Sequence, residues 1–316
     1  MNFRKIFLIT LVFVMSMSLM LTGCGGQDQS SGNDTTLKLG VNVEFLERAD
    51  GLPALEETYG FKFDRDNIVT MKTGLTYDAL RNGKIDIAMG FATDGRIPAF
   101  NLVNLKDDKK FFPVYNPAPT IRKEVLETYP NLAEVINQLP PLLDQKTLAN
   151  LNKQVDVDGK EPEDVAEAFL REQGLLKETA DKKEGPAIRV SCKPWTEQLI
   201  LGNMLIDLLE SNGYRVEDRT GLGETPVLRK ALTSDQIDIY WEYTGTVLMT
   251  VMKEDQITQA EEAYKKVKEW DAKENNIIWL DYAPANNTYT LMMTKERAEE
   301  LGIESISDLA DYINEK

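Results

Sequence analysis

The sequence of 316 residues contains no histidine and only two cysteines. Without histidine it lacks the side chain that ordinarily titrates near neutrality and serves most acid–base and metal sites. Two cysteines, Cys24 and Cys192, cannot form a metal-binding cluster. No glycine-rich loop runs into Lys-Ser or Lys-Thr, so the common phosphate cradle is missing as well. Basic residues are also scarce: 36 Lys and Arg stand against 52 Asp and Glu, a formal charge of −16. Such a balance argues against nucleic acid and against electrostatic docking on anionic lipid. Paired carboxylates remain available for catalysis, but no spacing singles any pair out, and the expectation is a protein that is not an enzyme. Beyond the first two dozen residues no apolar run reaches the ~20 needed to span a bilayer.

What is present starts with the N-terminus. Arg4 and Lys5 precede an apolar run from Ile6 to about Leu21, which closes on "LTGC". A basic start, an apolar stretch and small residues read as a secretory signal peptide over residues 1–23. The Cys after Leu-Thr-Gly resembles the lipobox of bacterial lipoproteins, which implies that Cys24 becomes the lipidated first residue. Residues 24–36, rich in Gly, Ser, Asp and Asn, then form a flexible tether. Losing Arg4 and Lys5 moves the formal charge from −16 to −18. Cys192 is left without an intramolecular partner. The expected location is the extracytoplasmic face of the cell membrane, lipid-anchored.

The remaining chain, part of a sequence that is 42% hydrophobic and 28% charged, is long enough for a sizeable core and two domains. Strand and helix patterns alternate. "TLKLGVNV", "KIDIAMGF", "AIRVSC" and "IDIYW" read as strands. Helices are expected over "GLPALEETYG", "YDALRNG", about 121–139, 144–155, 162–176 and 196–211, and near Val227. Strands separated by helices predict parallel sheets and an α/β class. The halves also resemble each other. "ALRNGKIDIAMGFATDG" (79–95) overlays "ALTSDQIDIYWEYTG" (231–245) and sets Phe91 on Tyr243; "LKLGVN" (37–42) overlays "IRVSCK" (188–193). Ligands in open α/β sheets bind beyond the carboxyl ends of strands. Two such units facing each other predict a cleft with aromatics on both walls.

Seven segments then carry a family resemblance: "KPWTEQLILGNM", "GLGETPVLRKAL", "IDIYWEYTGT", "DYAPANNTYTLMM", "EFLERADGLPAL", "FATDGRIPAF" and "FFPVYNPAP". Together they resemble the substrate-binding protein of osmoprotectant ABC importers, the glycine betaine/carnitine/choline type, over about residues 37–316. The resemblance implies a two-lobed, type II periplasmic-binding-protein-like fold, with a ligand cleft between lobes joined by two hinge segments near "FFPVYNPAP" and "DYAPANNTYT". Residues 37–176 are similar to the family's second half and residues 188–316 to its first, so the order looks circularly permuted, with 177–187 as the linker joining the halves. One lobe is then discontinuous, residues 37–113 plus 287–316, and the other continuous, residues 114–286.

The same resemblance implies a site. A quaternary ammonium donates no hydrogen bond, so aromatic faces, carboxylates and shape must hold it. The implied aromatic cage is Tyr243, Tyr289, Tyr115 and Phe91; the family commonly has Tyr where this chain has Phe91. Taken singly, an aromatic at a strand end is ordinary packing. For the carboxylate end of a betaine the implied donors are Lys193, Arg48 and Thr246, with Asn287 beside the cage. Asp94 reads as a turn residue, and Tyr240 and Trp241 as core or rim. The implied function is capture of glycine betaine and related betaines, choline or carnitine, for delivery to an ABC permease and its ATPase, with no cofactor, no metal and no nucleic acid. The alternative is a ligand-binding sensor for the same compounds, without transport.

Overall fold

The computed structural model describes residues 37–47 and 51–315; the expected signal peptide, the tether and Cys24 lie outside the described residues. Two five-stranded sheets organise the fold. The first contains β1 (Leu39–Val41), β2 (Ile68–Thr70), β3 (Ile87–Phe91), β4 (Leu102–Asn104) and, from the far end of the chain, β10 (Tyr289–Thr294). The second contains β5 (Pro117–Arg122), β6 (Ile188–Ser191), β7 (Val216–Arg219), β8 (Ile239–Tyr243) and β9 (Ile277–Trp279). Their orders are β2-β1-β3-β10-β4 and β7-β6-β8-β5-β9.

Both orders follow one plan. Three parallel strands stand as second, first, third; an antiparallel strand from elsewhere in the chain follows, and then the fourth. The fold is α/β, with the two-lobed type II arrangement of periplasmic binding proteins. The chain crosses between sheets twice, over 105–116 and 280–288. The crossings are laced together: Asn287 N donates to Tyr115 O at 3.1 Å, and Tyr115 N to Asn286 Oδ1 at 2.7 Å. Thr288 Oγ1 donates to Pro113 O at 2.7 Å.

The parallel strands are covered on both faces, which is why "LGV" and "IAMG" read as unbroken apolar runs. Around the first sheet Leu39, Leu52, Ile87, Leu291 and Leu309 share one core. Around the second, Ile121, Leu148, Ile188, Leu205 and Trp241 share another. Tyr240 and Trp241 are fully buried, so both are core and neither is rim. Burial also pushes the Cys192 thiol up to about 11, which makes it a packing residue.

One expected helix is divided. In place of a single helix over 121–139, β5 runs to Arg122 and two short helices follow at Lys123–Thr128 and Leu132–Ile136. Pro117 and Pro119 lie within β5, although proline removes a ladder donor. The structure tolerates them because both carbonyls face residues 280–283, accepting from Ala283 N at 2.8 Å and Leu280 N at 2.9 Å. A residue's N–H and C=O point to the same side of a strand. The missing donors therefore face the segment beyond the end of β9, and the β8 ladder stays whole.

Candidate ligand-binding site

A cavity of about 750 Å³ opens where strand ends of both sheets meet the two crossing segments. Phe91 ends β3 and Tyr243 ends β8, the third strand of each sheet. Tyr289 opens β10 in register with Phe91. Their rings stack at 5.3 Å and 26°. Phe45 and Phe112 pack behind Tyr289, with centroids 5.7 and 6.4 Å away, and hold its ring against the cavity. Phe91, by contrast, is 38% exposed.

Tyr115 comes from the first crossing. Its ring lies on Gly245, where a Cβ would stand 2.8 Å from the ring and 2.6 Å from Val114 O. Only glycine permits that approach. The Tyr115 hydroxyl reaches Met249 Sδ at 3.4 Å. Met249 and Thr246 come from the helical stretch after Tyr243, which widens to a π-helix over Val247–Val251, a geometry that recurs at functional sites.

All four expected cage residues line this one cavity, together with Lys193, Thr246 and Asn287; Arg48 lies outside the described residues. Lys193 is already committed. Its ammonium is buried and 2.6 Å from Glu242 Oε1, and lies 5.2 Å from the centroid of the Tyr243 ring. Glu242 is also bonded by Tyr243 N at 2.8 Å and by the Tyr240 hydroxyl at 3.0 Å. A buried pair satisfied on several sides is rigid, and breaking one partner away is costly. Lys193 can offer a ligand only the N–H groups that Glu242 leaves over.

Sequence reasoning passed over Trp195, Glu197 and Asn152, all of which line the cavity. Trp195 stacks on Tyr243 at 5.7 Å and 17° and extends the aromatic wall. Glu197 is 2% exposed, in the first turn of the helix Thr196–Ser211. An acid there reads in sequence as a helix-start signal, which hid its second role. The Tyr243 hydroxyl donates to Glu197 Oε1 at 2.7 Å and Asn287 Nδ2 to the same oxygen at 3.2 Å. Asn152 Nδ2 donates to Glu197 Oε2 and to Thr93 O, both at 2.9 Å. Desolvation pushes the Glu197 carboxyl above its usual range, against the pull of these donors. Burial above all keeps the Tyr243 phenol protonated.

Asp94 acts as the expected turn residue and also lines the cavity. Its carboxylate accepts from Arg96 N at 2.9 Å and from the Arg96 guanidinium at 2.8 and 2.5 Å. Among the described residues no group of His, Cys, Asp and Glu could hold a metal ion, and no helix is long and apolar enough to cross a membrane. An aromatic wall beside a buried carboxylate is suited to holding a cation by its faces and charge.

The profile of the substrate-binding domain of ABC-type glycine betaine transport systems, OpuAC, matches residues 27–172 and 186–316. The chain belongs to the OpuAC family. It is a family of binding domains and not of enzymes. A glycine-betaine-binding protein of Pseudomonas aeruginosa is 40% identical over 150 residues, 48% of this chain and 48% of that protein. The carnitine transport binding protein OpuCC of Listeria monocytogenes is 40% identical over 144 residues, 45% of this chain and 46% of its own length. The chain thus spans about half the length of the curated relatives it matches. Among solved structures, apo YehZ of Escherichia coli is 38% identical over 44% of this chain and 51% of its own, with a TM-score of 0.41.

Proposed function

We propose that this OpuAC-family chain captures quaternary-ammonium osmolytes, glycine betaine and related betaines with choline and carnitine, and delivers them to an ABC permease and its ATPase. The observation that carries the reading is the convergence of Phe91, Tyr115, Tyr243 and Tyr289, from four separate segments, on one cavity. Each desolvated cation–π contact contributes about 0.5–2 kcal/mol, so several rings supply most of the selectivity for a group that cannot donate hydrogen bonds. Thr246 and Asn287, with Arg48 and the remaining Lys193 donors, serve the carboxylate of a zwitterion. A thermal-shift panel of glycine betaine, proline betaine, carnitine and choline, followed by calorimetric titration, tests this. A bound ligand raises apparent stability by RT ln(1 + [L]/Kd). No shift with any quaternary amine would sink the reading.

The chain works outside the cytoplasm, held by lipid on Cys24. This part rests on "LTGC" and the polar segment after it. Cys24→Ser should release the protein from the membrane fraction or leave it unprocessed; a variant processed and retained like the parent overturns the anchor. A sensor role without transport is the second reading, favoured by a chemotactic signal transduction substrate-binding protein of Halobacterium salinarum that is 28% identical over 134 residues. Binding retained while uptake is unaffected by deleting the gene would select it.

The halves stand, on this reading, in exchanged order, and the lobes divide at 113/114 and 286/287. Each half supplies the first to fourth strands of one sheet and the inserted strand of the other. Exchanging two topologically equivalent halves leaves every strand neighbour in place, which makes the permutation physically inexpensive.

A further inference from the structure

Glu197 is a buried carboxylate with no cation among its partners in the described residues. Its described partners are the Tyr243 hydroxyl, the side-chain amides of Asn152 and Asn287, and the Thr93 hydroxyl, all neutral. Ions buried without a counter-charge are strongly disfavoured, and a carboxyl so placed takes up a proton instead. The other charged groups that line the cavity do not supply the missing charge. Lys193 is paired with Glu242 and Arg96 with Asp94, while Asp156, bonded by the Thr196 hydroxyl, and Glu224 are themselves acidic.

The surroundings also suit a neutral carboxyl. Asn152 Oδ1 and Asn287 Oδ1 are buried amide oxygens with no hydrogen-bond partner among the described residues. Asn152 is fixed by its bond to Thr93 O, but turning the Asn287 amide over presents an oxygen that accepts from a proton-bearing Glu197 carboxyl, whereas the present orientation donates an N–H to the carboxylate. Both protonation states therefore have a matching hydrogen-bond pattern. Beside them stand Tyr243 and the rest of the aromatic wall.

We propose that Glu197 is the counter-ion of the ligand's quaternary ammonium group, and that cation capture expels to solvent the proton this carboxyl carries in the unliganded protein. The inference rests on the osmolyte reading above and adds to it a residue and a coupling. Burial raises the carboxyl in the free protein, and an adjacent cation lowers it again. Affinity for a cation must then rise with pH through the window between the ordinary carboxylate range and the raised free-state value, and level off above it. Below the window, binding has to displace a proton and weakens.

The test uses the full chain with two probes of one shape: choline, and its uncharged tert-butyl isostere 3,3-dimethylbutan-1-ol. Choline should bind with proton release, read as a calorimetric enthalpy that varies with the ionisation enthalpy of the buffer. The isostere should bind without release and without pH dependence in that window. Glu197→Gln keeps size and an acceptor but removes the charge. It should weaken choline by roughly 10- to 100-fold, abolish proton release, and leave the isostere within a few-fold. Equal losses for both probes would make Glu197 a structural support of the wall and overturn the inference, as would choline binding without proton release in the parent protein. If Glu197→Gln does not fold, the pH profiles of the two probes on the parent protein decide alone. Failure of the parent to bind any quaternary amine at any pH would instead overturn the osmolyte reading.

Discussion

Phe91 brings a ring to the cavity with no polar attachment of its own, whereas Tyr243 brings a ring whose hydroxyl holds Glu197. The two therefore answer different questions when mutated. Tyr243→Phe keeps the π face but removes a donor to a buried carboxylate, so its effect mixes recognition with the integrity of the polar network. Phe91 is the cleaner probe of cation–π attraction. Phe91→Leu keeps apolar bulk and loses the quadrupole. It should weaken glycine betaine and choline by about 1–2 kcal/mol, roughly 5- to 30-fold. Phe91→Tyr should bind as well as the parent or slightly better, because the ring becomes more electron-rich. Calorimetric titration of the three proteins decides it; equal binding by Leu and Phe would show that the ring only packs. Phe91 was legible in the sequence because a strand pattern ends on it. Glu197 was not, because an acid beside a helix start is so common that nothing in one dimension marks it as buried.

Among the elements, the helix Thr196–Ser211 carries Glu197 at one end and, toward the other, Asp207 in an acidic crowd shared with the helix Pro162–Glu172. Desolvation, then the charges of Glu167, Glu210 and Glu163, raise the Asp207 carboxyl to about 6. A raised carboxyl favours the protonated native state. Its stabilisation is complete below the ordinary carboxylate range and is lost as pH rises through about 6. At neutral pH Asp207 thus costs stability, and Asp207→Asn should recover about 1 kcal/mol once solvent screening is allowed for. Urea unfolding on both sides of the window measures this; a gain of the same size in acid and at neutrality would reject the charge explanation. The helix itself is readable from its apolar density. Strand β5 is not, since the positions of Pro117 and Pro119 are tolerable only because of which neighbour their carbonyls face.

For the whole molecule, the turn after β3 meets the helix Gln145–Asp156 at Gly95. A Cβ there would lie 2.3 Å from Lys153 N and 2.6 Å from Asn152 C, backbone atoms of the helix Gln145–Asp156. Gly95 has ordinary helical dihedrals, φ −62° and ψ −21°, so alanine suits the local backbone and only the cross-cleft contact suffers. Gly95→Ala should therefore favour an open arrangement. It should weaken ligand by roughly 5- to 150-fold through an overpacking cost of about 1–3 kcal/mol on the arrangement that makes this contact, with little change in melting of the unliganded protein. Small-angle scattering with and without ligand reads the shift; unchanged affinity would place no closure at this contact. The proposed exchange of halves has its own test. A chain running from Ala187 to Lys316, through a short linker, into Thr36 to Leu176 should fold and bind the same ligand. Failure to fold, while the native order folds, would count against halves of equivalent plan.

Periodicity and turn chemistry already determine in one dimension that this is an α/β chain of two similar halves. The aromatics at the ends of third strands, Phe91 and Tyr243, follow from the same pattern, because local hydrophobic repeats need no partner to be read. Tertiary structure alone decided that Pro117–Arg122 is a central strand, that Lys193 is spoken for by Glu242, and that Trp195 extends the wall. It alone made Glu197 the point where Tyr243, Asn287 and Asn152 meet. Those facts depend on which segments, 45 to 90 positions apart for Glu197, are brought within hydrogen-bond distance. Burial and charge pairing are properties of that packing, and no local pattern encodes them.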